Sequence, residues 1–213
     1  NPLTGIKLGL KTLYEALKKP ENIQVLDSVI TDLNRIQNTV RGFLDEKRSQ
    51  TLLKKSMSHI IDDIFEDALF HLSGQMELKQ VSVEKAFSRE NRPIFIDRDR
   101  LYEVFLNVLL NAIQAISRKG EINISTKVFP PGPEEEMLEE LLISVTDTGK
   151  GMEKSVRTQA FKPFYTTRGE GTGMGLSICR KHIDKHGGRM ELTGEKGLGT
   201  TVSIYLPIAD SRE

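Results

Sequence analysis

The apolar positions of this chain follow two different rhythms. Leu3, Ile6, Leu10, Leu13 and Leu17 step by three and four and line one face of a helix. Pro20 interrupts the run within Lys-Lys-Pro-Glu-Asn. Leu26, Ile30, Leu33, Ile36, Val40 and Phe43 then begin a second helical stripe. Two amphipathic helices joined by a short turn make an antiparallel hairpin whose apolar stripe needs cover. Two copies packed as a four-helix bundle would bury it; packing on the chain's own C-terminal domain is the alternative. Heptad spacing over both helices favours the first arrangement, so a homodimer through this hairpin is expected.

A polar stretch at Asp45–Thr51 separates this region from the rest. The expected organisation is α+β, with a helical hairpin over 1–48 followed by a mixed α and β domain over 49–213. Ser56 to about Gln75 reads as helix, and Val81–Phe87 and Pro93–Ile96 as strands. Asp99–Ser117 is strongly periodic, with Asp99 as its expected N-cap. Glu121–Val128 and Leu141–Val145 read as strands, with a turn-rich acidic loop over Pro130–Glu136 between them. Gly149 to Gly171 is long and punctuated by glycine. Thr172–His186 is an expected helix closed by Gly187-Gly188. Arg189–Thr193 and Thr200–Leu206 are the last expected strands.

Composition narrows the function classes. The 213 residues carry 30 Lys+Arg and 30 Asp+Glu, a balance unsuited to coating nucleic acid. The single cysteine, Cys179, forms no internal disulfide, and no Cys/His cluster has zinc spacing. This fits a reducing cytosol. No apolar run approaches the ~20 residues of a membrane helix, and no signal-peptide pattern opens the chain.

Three stretches carry candidate chemistry. Asn107 and Asn111 lie four apart on one face of an otherwise apolar helix. Their amide oxygens suit a hydrated magnesium ion completed by phosphates; the alternative is a pair of capping or core-bonded asparagines. Leu141–Val145 runs into Asp147-Thr-Gly149-Lys-Gly151-Met152. An aspartate at a strand end can accept from an exocyclic amine such as that of adenine, and glycines let the backbone pass near a flat ring; the alternative is an ordinary turn. Finally, Gly171, Gly173 and Gly175 alternate straight into a helix. Their amides and the helix N-terminus suit phosphate oxygens, with Thr166, Thr167, Arg168 and Thr172 as further donors. The alternative is a mobile surface loop. Phe161 and Phe164 are expected to dock this lid. Neither the dinucleotide glycine fingerprint nor the P-loop pattern is present.

In this order the stretches resemble the boxes of sensor histidine kinases. Asn107-Val-Leu-Leu-Asn111-Ala-Ile resembles the N box and Asp147-Thr-Gly-Lys-Gly the first glycine box. Phe161-Lys-Pro-Phe resembles the F box, Gly171-Thr-Gly-Met-Gly-Leu the second glycine box, and Gly197-Leu-Gly-Thr200 the last glycine motif. Asn1-Pro2-Leu3 is similar to the end of the H box, and the style of Asn107 to Ala115 is nearest the nitrogen-regulation and acetoacetate-sensor type.

The resemblance implies a GHKL (Bergerat) α/β sandwich, a mixed sheet with three helices on one face, that binds ATP and Mg2+. On it, Asn111 holds magnesium with Asn107 helping. Asp147 reads the adenine amine, and Thr200 supports it through water. Gly149 and Gly151 flank the purine, and Met152 is a further ATP-binding residue. Residues 150–173 form the ATP lid, with Phe164, Thr166, Thr167 and Thr172 among its nucleotide-facing residues and Arg168 near the terminal phosphate. Gly171, Gly173 and Gly175 cradle the phosphates, and Met174 and Leu176 are further ATP-binding residues.

It also implies an ATP-dependent protein-histidine kinase whose phosphoryl group passes to an aspartate on a response regulator. The phospho-accepting histidine and its glutamate would precede Asn1, so these residues alone are expected to bind ATP without autophosphorylating. His59, His71, His182 and His186 read as structural. This portion is expected in the cytoplasm, with any membrane anchor in preceding segments. A chaperone or repair ATPase of the same superfamily would lack the leucine-lined hairpin. A protein-serine kinase on this fold would need a larger helical domain, and a silent scaffold would not need intact glycine boxes.

Overall fold

The computed structural model describes residues 53–88, 90, 93–129, 139–167 and 173–208. The chain divides into two units, Asn1–Gln50 and Thr51–Glu213. The hairpin expected over 1–48 lies outside the described residues, as do the loop 130–136 and the stretch 168–172. Within the second unit the elements run β1 (Leu53–Ser56), α1 (Met57–Lys79), β2 (Val81–Ala86), β3 (Pro93–Ile96), α2 (Arg98–Ala115) and β4 (Gly120–Phe129). They continue as β5 (Glu140–Asp147), α3 (Lys154–Arg157), α4 (Gly175–Lys185), β6 (Arg189–Glu195) and β7 (Gly199–Pro207).

Five strands form one mixed sheet in the order β2-β4-β5-β7-β6, with β2 parallel to β4 and the other neighbours antiparallel. Alternation sets its two faces. Leu141, Ile143, Val145 and Asp147 of β5 are buried, as are Thr200, Val202, Ile204 and Leu206 of β7. The residues between them are half-buried. The inward face is covered by helices: α2 lies against α1, α4, β5 and β7, while α1 also meets β2 and α4 meets β6. The β5–β7 register sets Val145 opposite Val202 and Asp147 opposite Thr200. Two polar residues therefore face inward side by side at one end of an apolar surface. A slip of one residue would turn both outward.

The helices form where apolar residues recur at helical spacing. Ile60, Ile61, Ile64, Phe65, Ala68, Leu69 and Leu72 make the buried face of α1, and Leu101, Val104, Phe105, Val108, Leu109 and Ala112 that of α2. Phe65 and Phe105 stack at a centroid distance of 4.0 Å and an interplanar angle of 4°, a contact worth about 0.5–1.5 kcal/mol beyond area burial. α1 ends where Gln80 turns to φ 53°. Its last residue, Lys79, donates from Nζ to the carbonyls of Ile113 (2.9 Å) and Ile116 (2.7 Å). That cation supplies partners for carbonyls left open at the end of α2.

Several expected boundaries move. Asp97, not Asp99, caps α2: its backbone is extended and its Oδ1 accepts the Arg100 N–H at 3.2 Å. Asp99 instead lies in the first turn, where its charge suits the helix dipole. α1 starts one residue late and runs four further, through Lys79. The segment before it is a strand, β1, pairing antiparallel with β3. That pairing also places Pro93–Ile96 in a separate two-stranded sheet. α4 begins at Gly175 rather than Thr172, and the short helix α3 lies within the glycine-punctuated segment.

Candidate functional site

At the Asp147 end of the sheet, α2 and the strands leave between them a cavity of about 250 Å³. Its walls are mostly apolar: Val108, Ala112 and Ala115 from α2, Val145 from β5, Leu192 from β6 and Val202 from β7. Asn111, Asp147 and Thr200 supply polar groups to this lining. Met152, Val156, Thr167 and Leu176 come from the segments around α3 and the start of α4, and Lys150, Gly151, Glu153 and Lys196 complete the rim. Asp147 is 5% exposed, and its Oδ1 accepts the Gly149 N–H at 2.8 Å. A carboxylate held this way at the end of an apolar slot can accept an amine from a flat ring.

The glycines beside Asp147 answer to backbone packing. A Cβ on Gly149 would lie 2.7 Å from the Ala115 backbone, and Gly149 does not line the cavity. Gly151 does line it, but at φ 64° a Cβ there would lie 1.8 Å from the Glu195 carbonyl oxygen. At Gly199 a Cβ would lie 1.9 Å from the Asp147 carbonyl oxygen. Lys150 N–H donates to Ala115 O at 3.1 Å and Gly197 N–H to Lys150 O at 2.8 Å. The loop is thus clamped between the end of α2 and the β6–β7 turn, which is possible only without side chains.

Asn107 and Asn111 separate in role. Asn111 lines the cavity and Asn107 does not. Asn107 Nδ2 donates to the Glu103 carbonyl one turn back at 2.9 Å. A Cβ on Gly175 would lie 3.3 Å from Asn107 Oδ1, so the amide oxygen faces the start of α4. Met174, the N-cap of α4, makes no side-chain cap bond. The first-turn amides of a helix lack partners within it, and such a terminus can receive an anion. Leu176 lines the cavity from this helix, while Gly173 packs on the backbone of Phe164 and Tyr165, where a Cβ would lie 2.4 Å from the nearest atom.

The aromatic pair expected to dock the lid divides. Phe161 packs against the core with the Arg180 guanidinium 5.0 Å above its ring. Phe164 is 76% exposed with φ 64°, and it neither anchors the segment nor lines the cavity. Its side chain stands in solvent, whereas that of Phe161 packs on the core. Thr167 lines the cavity and Thr166 does not. Arg168, Gly171 and Thr172 lie outside the described residues.

His71 is exposed beside the Tyr102 hydroxyl. His186 is buried; its Nε2 accepts the Asp97 N–H at 2.9 Å and its Nδ1 donates to the His182 carbonyl at 2.7 Å. These bonds use the neutral ring and tie the end of α4 to the entry of α2.

Sequence reasoning left out the apolar walls and part of the rim. The spacing of Val108, Asn111, Ala112 and Ala115 along one face of α2 was an available signal for the first group. The ion pair of Lys196 with Glu153, at 2.8 Å, had none, because it joins segments distant in sequence. Each partner shifts the other: the hydrogen bond between them lowers the Glu153 carboxyl and raises the Lys196 ammonium.

Among curated proteins the chain is 29% identical over 208 residues to the signal transduction histidine-protein kinase AtoS of Escherichia coli, covering 98% of this chain and 33% of that protein. It is 30% identical over 211 residues to the sensor histidine kinase ZraS of Salmonella typhimurium, covering 98% and 43%. It therefore spans less than half the length of these relatives. Among solved structures it resembles full-length ShkA in complex with AMPPNP, with a TM-score of 0.69 and 22% identity over 99% of this chain and 44% of that one, a likeness of fold. Among the described residues no helix is long and apolar enough to cross a membrane. With residues 96–210 matching the family model, the chain belongs to the histidine kinase-, DNA gyrase B- and HSP90-like ATPases.

Proposed function

We propose that the cavity binds the base of Mg-ATP and that the chain is the catalytic portion of a sensor histidine kinase. The observation that carries this is buried Asp147 set beside Thr200 at the end of an apolar slot, facing a helix that carries Asn111. A volume of about 250 Å³ is below the roughly 300–1,000 Å³ typical of sites that enclose a whole ligand. It fits a base with its phosphates extending outside. Asp147 accepts the adenine amine, Thr200 supports it through water, and Gly151 and Met152 border the ring; Gly149 acts by holding the loop. The triphosphate runs past Thr167 toward Gly173, Met174, Gly175 and Leu176, with Arg168, Gly171 and Thr172 as further donors and Phe164 and Thr166 in the same lid. ShkA, which shares the fold, was solved with a nucleotide analogue, AMPPNP.

An amide oxygen is a hard oxygen donor that magnesium can accept, since the ion keeps several waters and binds substrate phosphates, which supply charge balance. Asn111 would hold it, and Asn107 Oδ1, facing the start of α4, would stand on the same side. The ion supplies neutralisation of phosphate charge. The chain's own groups orient the base, hold the lid segment and exclude water from the slot.

For the whole protein, the reading is transfer of the terminal phosphoryl group to a histidine preceding Asn1 on a dimerisation helix. A nitrogen–phosphorus bond forms, the bond to the ADP oxygen breaks, and the imidazole gives up its proton to the glutamate that accompanies it. An aspartate of a response regulator then receives the group. A hairpin over 1–48 that dimerises, a catalytic domain over 49–213, a cytoplasmic location for this portion and the nitrogen-regulation subgroup complete the proposal. Calorimetry with ATP, with and without magnesium, tests the site. Asp147→Asn is expected to weaken binding ~10–100-fold, the worth of a hydrogen bond to a charged group. Labelled ATP given to a longer chain that includes the preceding residues tests the kinase; absence of label in it would refute that activity.

A further inference from the structure

His182, on α4, is 6% exposed, and among the described residues neither of its ring nitrogens has a hydrogen-bond partner. Nε2 lies 3.3 Å from Glu103 Oε2, close enough for an electrostatic contact but without hydrogen-bond alignment. Arg100 Nη1 donates to the same oxygen at 3.2 Å. Burial alone would raise the Glu103 carboxyl, but the His182 ring and the Arg100 guanidinium outweigh it and hold the group below the usual carboxylate range. An apolar set of similar volume would join two helices at least as well. Helix packing therefore gives no reason for charges at this place.

Glu103 offers such a reason, because it has two attachments. Its main-chain oxygen accepts Asn107 Nδ2–H at 2.9 Å, which turns Asn107 Oδ1 toward Gly175. Its side chain meets His182, roughly two turns along α4 from Gly175. The same residue thus holds the amide that faces the start of α4 and the far half of α4 itself.

We propose that His182 is a positioning residue for the metal and phosphate end of the site. Through Glu103 it sets α4 against α2, and so sets the distance between Asn107 Oδ1 and the amides that open α4. The role rests on the Mg-nucleotide reading above. It differs from helix packing in one consequence: loss of the imidazole alters the magnesium-dependent part of nucleotide binding and spares the part that comes from the base.

The test is calorimetry of the 213-residue chain with a non-hydrolysable ATP analogue, once in magnesium and once in chelator. Groups that orient metal ligands without touching the metal typically contribute ~10–100-fold in affinity. His182→Leu should therefore reduce affinity in magnesium by about tenfold, leaving affinity in chelator close to that of the unaltered chain. His182→Gln, which keeps a polar group within reach of Glu103, should restore most of the loss. Glu103→Gln, nearly unchanged in volume, should reproduce the selective loss and serves if the leucine variant does not fold. An unchanged ratio of the two affinities in both His182→Leu and Glu103→Gln, or a parallel fall in both media, would overturn the role. So would an unaltered chain that binds nucleotide equally well with and without magnesium. Failure of the unaltered chain to bind nucleotide at all would instead defeat the site reading beneath it.

Discussion

Gly151 and Gly197 both adopt left-handed backbone, at φ 64° and φ 86°, but their surroundings differ. A Cβ on Gly151 would lie 1.8 Å from the Glu195 carbonyl oxygen, whereas a Cβ on Gly197 meets nothing within 4 Å among the described residues. Alanine at either position incurs left-handed strain of about 1–2 kcal/mol. Only Gly151→Ala also forces two backbone segments apart, an overpacking cost of roughly 1–3 kcal/mol. A unit of this size loses about 2–4 °C of melting temperature per kcal/mol. Gly197→Ala should then melt ~2–8 °C below the unaltered chain, and Gly151→Ala a further 2–12 °C or so lower. Circular dichroism melts of the two variants measure the difference directly. Because Gly151 lines the cavity and Gly197 does not, added Mg-ATP should also protect Gly151→Ala less. Equal melting temperatures for the two variants would show that the loop tolerates a side chain at 151 and that backbone contact is not what requires glycine there.

Lys79→Met removes the cation on the Ile113 and Ile116 carbonyls; urea unfolding should show a loss of about 1–3 kcal/mol, two hydrogen bonds' worth. Burial pushes the Cys179 thiol up to about 12, so a thiol reagent at pH 8 should modify the folded chain only at its unfolding rate and the denatured chain at once. Glu103 titrates below its ordinary value of 4.5 in the folded chain. Its contribution to stability is complete above that value and is lost as pH falls through the lower, folded value. Glu103→Gln should consequently flatten the acid limb of a stability profile taken from pH 3 to 6, leaving its shape above pH 6 unchanged.

Elements that bury one face were legible along the chain. The spacing of Leu101, Val104, Phe105, Val108 and Leu109 marks α2 wherever it packs, and the alternation from Leu141 marks β5. The asparagine, aspartate and glycine motifs, each of them local, pointed to Asn111, Asp147, Gly151, Met152, Thr167, Leu176 and Thr200, which the structure brings to one cavity. β1 was not legible: Leu-Lys-Lys-Ser has no apolar alternation, and its strand form comes from pairing with β3. Asp97 and Asp99 are equally good caps by type, and only the end of β3 decides between them.

Local sequence therefore determined which residues could carry the chemistry: an amide-bearing helix face, an aspartate closing a strand, and glycines where side chains are excluded. Tertiary structure decided which of them meet. The β5–β7 register brings Asp147 beside Thr200, the packing of α2 on α4 brings Gly175 up to Asn107 Oδ1, and Phe164, an expected anchor, stands in solvent. Periodicity depends on neighbours a few residues apart along one element, whereas register, helix crossing and loop closure depend on contacts between segments far apart in the chain, which no local pattern encodes.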